Sequence, residues 1–315
     1  MNKKVDIIRE IEKKAGIPGL ADILTERLSG TDLNSLLLEV FAQKVKNTPA
    51  QQLLQQYLAN PFVQPAETDM MGLLQLELEA LAYLRDHSFR PMELSPVAQL
   101  GSCSIVGTVS QDKIISATRN TEVLADATNS LALYIAGLKR SGNRPGEEVM
   151  HFCTVHRHCR TRWLRGGRHM PHFKIGCLVS SGRNTGDYRF ESAQLLLHIT
   201  TLDSLLKEVF GINSCRIKIQ RREGYPDTDR MLAIVVDSLK KNSNLDIFID
   251  VGPGGNNYYK GIQFKVIIKM KDQVLEIADG GFVDWTQQLL SNHKERLLIS
   301  GFGLEWLYKI QTGSM

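Results

Sequence analysis

The sequence lacks the long apolar runs that would place it in a membrane. Its 315 residues contain MLAIVV at 231–236 among their longest apolar runs, whereas a membrane-spanning helix needs roughly 20 such residues. The start, MNKKVDIIREIEKK, alternates charged and aliphatic residues and so does not resemble the apolar segment of a secretory signal. We therefore expect a cytoplasmic protein with no membrane partner.

Cysteine is scarce, and its number is odd. A full set of disulfides leaves one cysteine unpaired, and a chain of this length can bury a core without such cross-links. We expect reduced thiols at all five positions: Cys103, Cys153, Cys159, Cys177 and Cys215.

Acidic residues are missing from one long segment. Residues 149–186 contain no Asp or Glu but seven Lys or Arg, although the net charge of the whole chain is only +4. This concentration of cations predicts a local anion site. Trp163 and Phe173 lie within the basic stretch 157–174, which leaves RNA open as a partner because bases stack on aromatic rings. The alternative is an exposed β-hairpin loop.

Phosphate-binding glycine motifs are also missing, since no predicted strand is followed by a dinucleotide fingerprint or a P-loop.

The first 66 residues predict a module of short helices, with leucines three and four residues apart. Thr31 and Thr48 are predicted N-caps. The apolar faces of these helices pack within the chain or against a partner.

Residues 67–315 predict a second domain that mixes helices and strands. A helix at about 70–87 precedes short strand patterns, and two later helices are predicted at about 190–210 and 227–241. The turn-like KDQ at 271–273 predicts an antiparallel hairpin. The predicted strand segments are KIISAT, HFCTVH, FKIGCLVS, CRIKIQ, LDIFIDV, GIQFKVIIKM and QVLEIAD.

The order of these segments resembles the catalytic core of class II aminoacyl-tRNA synthetases. Pro96, in YLRDHSFRPMELSPV, lies where the family has the proline of its dimer interface, so the resemblance implies a homodimer. The run KIISATRNTEVLADATNSLAL is similar to the histidyl-tRNA synthetase segment in which Arg-Pro-Glu-x-Thr opens a helix. Arg119 matches the arginine and Glu122 lies one position from the glutamate, which implies substrate-binding roles.

The second class II motif is a Phe-Arg-x-Glu strand, a loop and a returning strand. The segment VHRHCRTRWLRGGRHMPHFKIGC has this arrangement. Arg157 matches the arginine that holds the α-phosphate of ATP in the family, while Cys159 replaces the glutamate. Arg168 lies in the loop, which in the family contacts nucleotide and the tRNA end.

Two further segments resemble histidyl-tRNA synthetases in particular. NNYYKGIQFKV is similar to the signature Leu-Asp-Tyr-Tyr-Thr-Gly, and IADGGFVDWTQQLL to Ala-Gly-Gly-Arg-Tyr-Asp. The arginines of the two family segments are replaced near Gly254 and at Phe282. The resemblance implies substrate-binding roles for residues in both segments, namely Asn257, Tyr258, Tyr259 and Asp284.

The third class II motif, a glycine-rich strand that leads into a helix, is represented by ISGFGLEWLYKI. Glu305 matches the family, but Trp306 replaces the arginine that contacts adenine and the γ-phosphate. A tryptophan cannot supply the fixed donors of a guanidinium to a phosphate. ATP and magnesium are therefore expected only if the protein is an active ligase.

The resemblance implies an α+β fold, with a class II synthetase-like antiparallel sheet flanked by helices and no anticodon-binding domain after it. It also points to the histidyl-tRNA-synthetase-like regulatory subunit of ATP phosphoribosyltransferase. We expect a paralogue that binds an amino acid or a nucleotide-like small molecule without charging tRNA and signals to a partner protein. The alternatives are an acyl-adenylate-forming ligase that acts on another acceptor, and an interaction protein with a vestigial pocket.

Histidines and cysteines are concentrated between residues 151 and 177, where five of the eight histidines and three of the five cysteines lie. Cys153, His156, Cys159 and His172 have the donor types of a zinc site, and Cys–His catalysis uses the same residue types. Strand alternation, however, sends Cys153 and Cys159 to one face and His156 to the other. We therefore predict no metal site here.

Overall fold

The structure, a computed structural model, describes residues 3–142 (side chains from residue 7 onwards), 149–161, 170–250, 258–270 and 273–314. Its N-terminal part is helical, as predicted from the sequence. The helices described there are α1 (Lys3–Ala15), α2 (Leu20–Asp22), α3 (Gly30–Lys46) and α4 (Ala50–Ala59). A π-helical turn (Ile23–Arg27) follows α2 directly.

The helix caps differ from the predicted ones by two positions or fewer. Ser29, not Thr31, caps α3, because the Ser29 Oγ accepts the N–H of Asp32 at 3.1 Å. Pro49 occupies the N-cap position of α4. The Thr48 hydroxyl instead donates to the carbonyl of Lys44 at 3.3 Å, so it belongs to the end of α3.

The rest of the chain forms one large and one small sheet. The eight-stranded sheet has the order β1-β5-β6-β11-β10-β9-β7-β8, and only its two outermost pairs are parallel. The three-stranded sheet has the order β2-β4-β3. The strands are β1 (Arg90–Pro91), β2 (Val97–Gln99), β3 (Ser116–Ala117), β4 (Thr121–Val123), β5 (Met150–Cys159), β6 (His172–Arg183), β7 (Arg216–Arg221), β8 (Asp246–Asp250), β9 (Lys260–Met270), β10 (Gln273–Val283) and β11 (Glu295–Phe302).

Six helices accompany these sheets. They are α5 (Met70–Asp86), α6 (Ala127–Arg140), α7 (Arg189–Glu208), α8 (Thr228–Asn242), α9 (Trp285–Leu290) and α10 (Leu304–Gln311). β9 and β10 pair antiparallel, with Gln273 opposite Met270, which confirms the predicted hairpin. Among the described residues no helix is long and apolar enough to cross a membrane.

The two faces of the large sheet carry different helices, and we call them the back face and the front face. The back face packs against α5, α7, α8 and α10, through buried residues that include Leu84, Leu195, Ile199, Val235, Phe264 and Leu304. The front face packs against α6 and α9, through Leu131, Ile135, Phe152, Val179 and Trp285. Each such buried side chain contributes roughly 1.5–3 kcal/mol relative to an exposed one.

A chain of polar side chains fixes α7 to the back face. His198 is fully buried, and its two ring nitrogens form hydrogen bonds of 2.8 Å with the hydroxyls of Ser180 and Ser300. Ser180 also contacts His151 Nδ1 at 2.7 Å. Burial holds the pKa of His198 well below its ordinary value, so this imidazole is neutral in the folded protein.

We predict that Gly280→Ala destabilises the fold by about 1–3 kcal/mol, the usual cost of overpacking. A Cβ at Gly280 would lie 2.6 Å from the carbonyl oxygen of Ile299 and 2.6 Å from the ring of Phe264, and neither β11 nor the core can easily move. Urea unfolding measures the loss. Gly301→Ala, on the neighbouring strand, is the control, because the nearest atom there is 3.5 Å away. Equal losses in both variants would contradict this packing.

We also predict that stability falls as the pH drops below 6.5, because of His198. The folded protein holds this group neutral, while the unfolded chain protonates it near pH 6.5. The unfolded state then binds more protons, so the contribution is complete above pH 6.5 and is lost on acidification. Between pH 7.5 and 5.5 the loss from this group is about 1.4 kcal/mol.

Urea unfolding at several pH values measures this slope. In His198→Gln the slope should be smaller than in the wild type, whereas His293→Gln, at an exposed position, should leave it unchanged. If the His198→Gln and wild-type slopes are equal, His198 is not the group responsible.

Candidate functional site

The front face of the large sheet carries a connected series of polar side chains beside its apolar part. We call this series the front-face chain; it consists of Asp126, Tyr258, Tyr259, Asp279, Gln263 and Arg222. Tyr259, Gln263 and Arg222 are buried, whereas Asp126, Tyr258 and Asp279 remain partly exposed. The chain is therefore partly exposed at its two carboxylates and at Tyr258, and buried at its guanidinium.

Asp126 begins the front-face chain at the N-terminus of α6. One of its carboxylate oxygens caps the helix by accepting the N–H of Thr128 at 3.0 Å, and the other accepts the hydroxyl of Tyr258 at 2.7 Å. The rings of Tyr258 and Tyr259 meet edge to face with centroids 4.8 Å apart. The series thus passes from the helix cap to the start of β9.

Asp279 forms the middle of the front-face chain, on the central strand β10. Its carboxylate accepts the hydroxyl of Tyr259 at 3.1 Å and the amide of Gln263 at 3.4 Å. The neighbouring Gly281 makes room for this arrangement, since a Cβ there would lie 2.7 Å from the ring of Tyr259. Gly281 therefore allows the ring of Tyr259 to approach β10 closely.

Arg222 ends the front-face chain, directly after β7. It is only 7% exposed, and its Nε donates to the side-chain oxygen of Gln263 at 3.0 Å. Its Nη1 is buried and finds no hydrogen-bond partner in the described part of the chain. Buried polar groups are nearly always paired, so a buried guanidinium nitrogen without a partner marks a place for an acceptor atom.

Burial sets the protonation of these groups. Desolvation raises the pKa of Tyr258 and Tyr259 well above the ordinary value, so both hydroxyls remain donors at neutral pH. Desolvation also raises the pKa of Asp279, although the hydrogen bond from Tyr259 opposes this. A positive ligand group beside Asp279 would favour its ionised form.

His158 lies at one end of this region, on β5. It is 1% exposed, and its Nε2 accepts the N–H of Ala127 at 3.2 Å. The proton therefore lies on Nδ1, which has no partner among the described residues. Burial lowers the pKa of His158 to about 4, so the ring is a neutral donor.

The cysteines of this region are buried thiols. Desolvation raises the pKa of Cys153 to about 12 and that of Cys177 well above its ordinary value. A nucleophilic cysteine needs a lowered pKa, so the geometry disfavours Cys–His catalysis. Among the described residues no group of three or more His, Cys, Asp or Glu side chains is placed to hold a metal ion.

Arg157 and Glu305 form a separate group on the back face. The Arg157 Nη1 lies 3.1 Å from the Glu305 carboxylate and donates to His172 Nδ1 at 3.1 Å. Glu305 also accepts the hydroxyl of Thr68 at 2.7 Å and the N–H of Lys174 at 3.1 Å. Burial opposes ionisation, but these partners hold the pKa of Glu305 below its ordinary value.

The resemblance implied substrate-binding roles for Arg119, Glu122, Arg157, the two tyrosines and Asp284. Of these residues only Tyr258 and Tyr259 belong to the front-face chain. Arg157 lies on the opposite face from Tyr259, because residues of odd and even number alternate along β5. Arg119 adopts a left-handed backbone conformation (φ 64°) between β3 and β4, and its N–H donates to Asn34 Oδ1 at 2.5 Å.

Glu122 is the third residue outside the front-face chain. It is fully buried and accepts the N–H groups of Gly101 and Cys103 at 2.9 and 3.0 Å. These contacts fix the π-helical turn Ser102–Val106. Asp284 lies at the N-cap of α9, 3.7 Å from the ammonium of Lys260, the residue that follows Tyr259.

Three other predicted positions stand as follows. Arg168 and Asn257 lie outside the described residues, as does most of the basic loop considered for RNA. Pro96 is exposed, and its carbonyl accepts the N–H of Leu124 at 3.1 Å. Their predicted roles in binding and dimerisation remain predictions.

Sequence reasoning missed Asp126, Arg222, Gln263 and Asp279. An aspartate before a helix is an ordinary cap, so nothing distinguished Asp126. Asp279 did leave a signal, because it is a carboxylate between the apolar residues Ile277 and Ala278 and the glycine pair of a central strand. A hollow of about 440 Å³ elsewhere, lined by Phe210, Met270 and neighbours, contains none of the predicted residues.

Comparison with known proteins places this geometry in a fold family. No sequence family and no curated protein matches the chain. The histidyl-tRNA synthetase of S. aureus aligns with a TM-score of 0.61 and 11% identity, over 79% of this chain and 69% of that one. A structure described as an ATP phosphoribosyltransferase regulatory subunit/histidyl-tRNA synthetase from Bacillus halodurans C aligns with a TM-score of 0.57 and 10% identity, over 79% and 84%.

A third solved structure widens the comparison. The pyrrolysyl-tRNA synthetase of Desulfitobacterium hafniense aligns with a TM-score of 0.51 and 16% identity, over 84% of this chain and 75% of that one. At such identities the likeness concerns the fold, which is α+β with a helical N-terminal region. The chain therefore has a class II aminoacyl-tRNA synthetase-like fold, and histidyl-tRNA synthetase-like proteins are among its structural neighbours.

Proposed function

We propose that the protein binds a free amino acid or a close relative on the front-face chain, without charging tRNA. The observation that carries this proposal is the buried, unpartnered Nη1 of Arg222, in the same hydrogen-bonded series as the carboxylate of Asp279. An amino acid has an acidic and a basic end. The guanidinium of Arg222 complements the acidic end and the carboxylate of Asp279 complements the basic end. The side-chain amide of Gln263 forms a hydrogen bond with each of them.

The carboxylates define the basic end of the ligand. Asp126 and Asp279 are partly exposed, and each already accepts a tyrosine hydroxyl that remains protonated. An ammonium group placed there gains charge-assisted hydrogen bonds and offsets the desolvation that raises the pKa of Asp279. A purely anionic ligand, in contrast, would be repelled by both carboxylates.

The back-face group supports binding without adenylation. The guanidinium of Arg157 is engaged by Glu305 and His172, on the face opposite the front-face chain. Trp306 occupies the position of the third-motif arginine and carries a single N–H in place of the five donors of a guanidinium. Arg157 is therefore not oriented towards a ligand held at Asp279. We expect the protein to have a regulatory role, in which a partner protein responds to the bound ligand.

We predict that one or more free amino acids raise the melting temperature of the protein, because a ligand that binds only the native state stabilises it by mass action. Histidine is the first probe, followed by the other amino acids singly. Histamine, which lacks the carboxylate, and imidazole propionate, which lacks the amine, separate the two ends. No shift with any amino acid would contradict the proposal.

Variants of the protein show which residue binds the carboxylate and which binds the amine of the ligand, in the same melting-temperature assay. Arg222→Gln should weaken amino acid binding about 10- to 100-fold, since a hydrogen bond to a charged group contributes about 1.5–3 kcal/mol, and should leave the carboxylate-free amine unaffected. Asp279→Asn should weaken both. The controls are Arg221→Gln and Glu276→Gln, whose side chains form surface ion pairs with Asp229 and Lys265.

We further predict no amino acid-dependent exchange of pyrophosphate into ATP, because Arg157 does not face the front-face chain. The assay uses the purified protein with magnesium, ATP and each amino acid. Exchange that disappears in Arg157→Ala would instead establish the alternative, a ligase that forms an acyl-adenylate.

A further inference from the structure

The two carboxylates of the front-face chain have only neutral hydrogen-bond partners among the described residues. Asp126 accepts the N–H and the hydroxyl of Thr128 at 3.0 and 2.7 Å, and the hydroxyl of Tyr258 at 2.7 Å. Asp279 accepts the hydroxyl of Tyr259 at 3.1 Å and one side-chain amide at 3.4 Å. Neutral donors favour the charged form of a carboxylate but do not cancel its charge. The front face therefore has two places for a cation.

The two carboxylates also act on each other. Desolvation is the main cause that raises the pKa of Asp279, and the negative charge of Asp126 raises it further. His158, beside Asp126, does not compensate this charge, because burial lowers the pKa of His158 to about 4 and leaves its ring neutral. A positive group near both carboxylates would stabilise their ionised forms.

Two cations of the chain oppose this effect, but both are engaged by other groups. The charges of Lys265 and Arg160 lower the pKa of Asp279. Lys265 forms an ion pair with Glu276 at 2.6 Å. Arg160 donates from Nε to the carbonyl of Ala125 at 3.1 Å, and its guanidinium lies 5.6 Å from the centre of a phenylalanine ring. The described ion pairs thus include no carboxylate of the front-face chain.

A glycine lies between the two carboxylates on the sheet. Asp279 is opposite Gly301, and Gly301 is opposite Cys177, which packs against Ala127, the residue after Asp126. Gly301 is partly exposed although its strand is central, and the nearest atom to a Cβ there would be 3.5 Å away. Neighbouring strands are about 4.8 Å apart. The backbones at Asp279 and Cys177 are therefore separated by about 10 Å, with no side chain from the strand between them.

An amino acid with a neutral side chain leaves one of these charges without a partner. Its carboxylate and amine match Arg222 and Asp279, while Asp126 retains only its neutral donors. The three charged members of the front-face chain sum to one negative charge. A ligand with one additional positive group makes the bound complex neutral and gains a further charge-assisted hydrogen bond.

We infer that the ligand is an amino acid with a cationic side chain, such as lysine, ornithine or arginine, whose amine pairs with Asp279 and whose side-chain cation pairs with Asp126. The inference rests on the proposed function, because it takes the ligand's carboxylate to bind Arg222. The ligand's side chain crosses the sheet over Gly301. Asp126 is then a specificity-determining residue as well as the cap of α6.

Isothermal titration calorimetry on the full chain at neutral pH tests this specificity with matched ligands. Lysine is compared with norleucine, which lacks the terminal amine, and arginine with citrulline, which lacks the charge. The charged member of each pair should bind at least about 10-fold more tightly, the effect of one hydrogen bond to a charged group.

The variant Asp126→Asn should remove this preference. Asparagine is as good an N-cap as aspartate, so α6 keeps its cap while the charge is lost. The control is Asp227→Asn, the same substitution at the N-cap of α8, where the Asp227 side chain accepts the N–H of Arg230 at 3.0 Å. It should leave the preference unchanged.

The outcomes separate this inference from the proposed function. If the neutral amino acids bind as tightly as the charged ones, or if the preference survives in Asp126→Asn, the inference is wrong while the proposed function stands. If no amino acid binds, the proposed function is wrong, and 1,5-diaminopentane is compared with pentylamine. Tighter binding of the diamine that is lost in Asp126→Asn would support the pairing of two cations with the two carboxylates. Equal affinities, or no binding of either amine, would overturn it.

Discussion

The alternation of side chains across the eight-stranded sheet is the constraint on which the rest of the structure depends. Successive residues of a strand point to opposite faces, and both faces of this sheet are covered by helices. On β9, Ile262, Phe264 and Val266 enter the back-face core, while Gln263 joins the front-face chain. One strand thus contributes both to the core and to the candidate site.

This division gives the two faces different physical characters. The back face is largely apolar, and two of its buried polar groups, His198 and Glu305, have several hydrogen-bond partners. The front face combines an apolar cluster around Trp285 with a series of polar groups in which Arg222 and His158 retain unpaired donors. Unpaired buried donors cost stability, and a fold tolerates that cost where a ligand relieves it. The unpaired donor of Arg222 is the observation on which the proposal of ligand binding rests.

The N-terminal helices follow a different principle from the core. In the core, helices gain stability by covering a sheet, and the sheet gains by being covered. The N-terminal helices, residues 7–63, have helical sequence and caps but no buried side chain. The contact between Asn34 and Asn120, and the contact of the following Gln64 with His172, connect this region to the sheets.

The sequence by itself determined the class of fold, the order of helices and strands, the β9–β10 hairpin and the place of the tyrosine pair. These follow from local periodicity, turn chemistry and motif order, which one chain displays directly. Only the tertiary structure decided which side chains meet. Arg157 and Tyr259 lie on opposite faces of the sheet, and Glu122 fixes a turn. Asp126, Asp279 and Arg222, which are up to 153 positions apart in the sequence, belong to one series of contacts. The physical reason is that strand order and register set these contacts, and neither can be read from the spacing of residues along the chain.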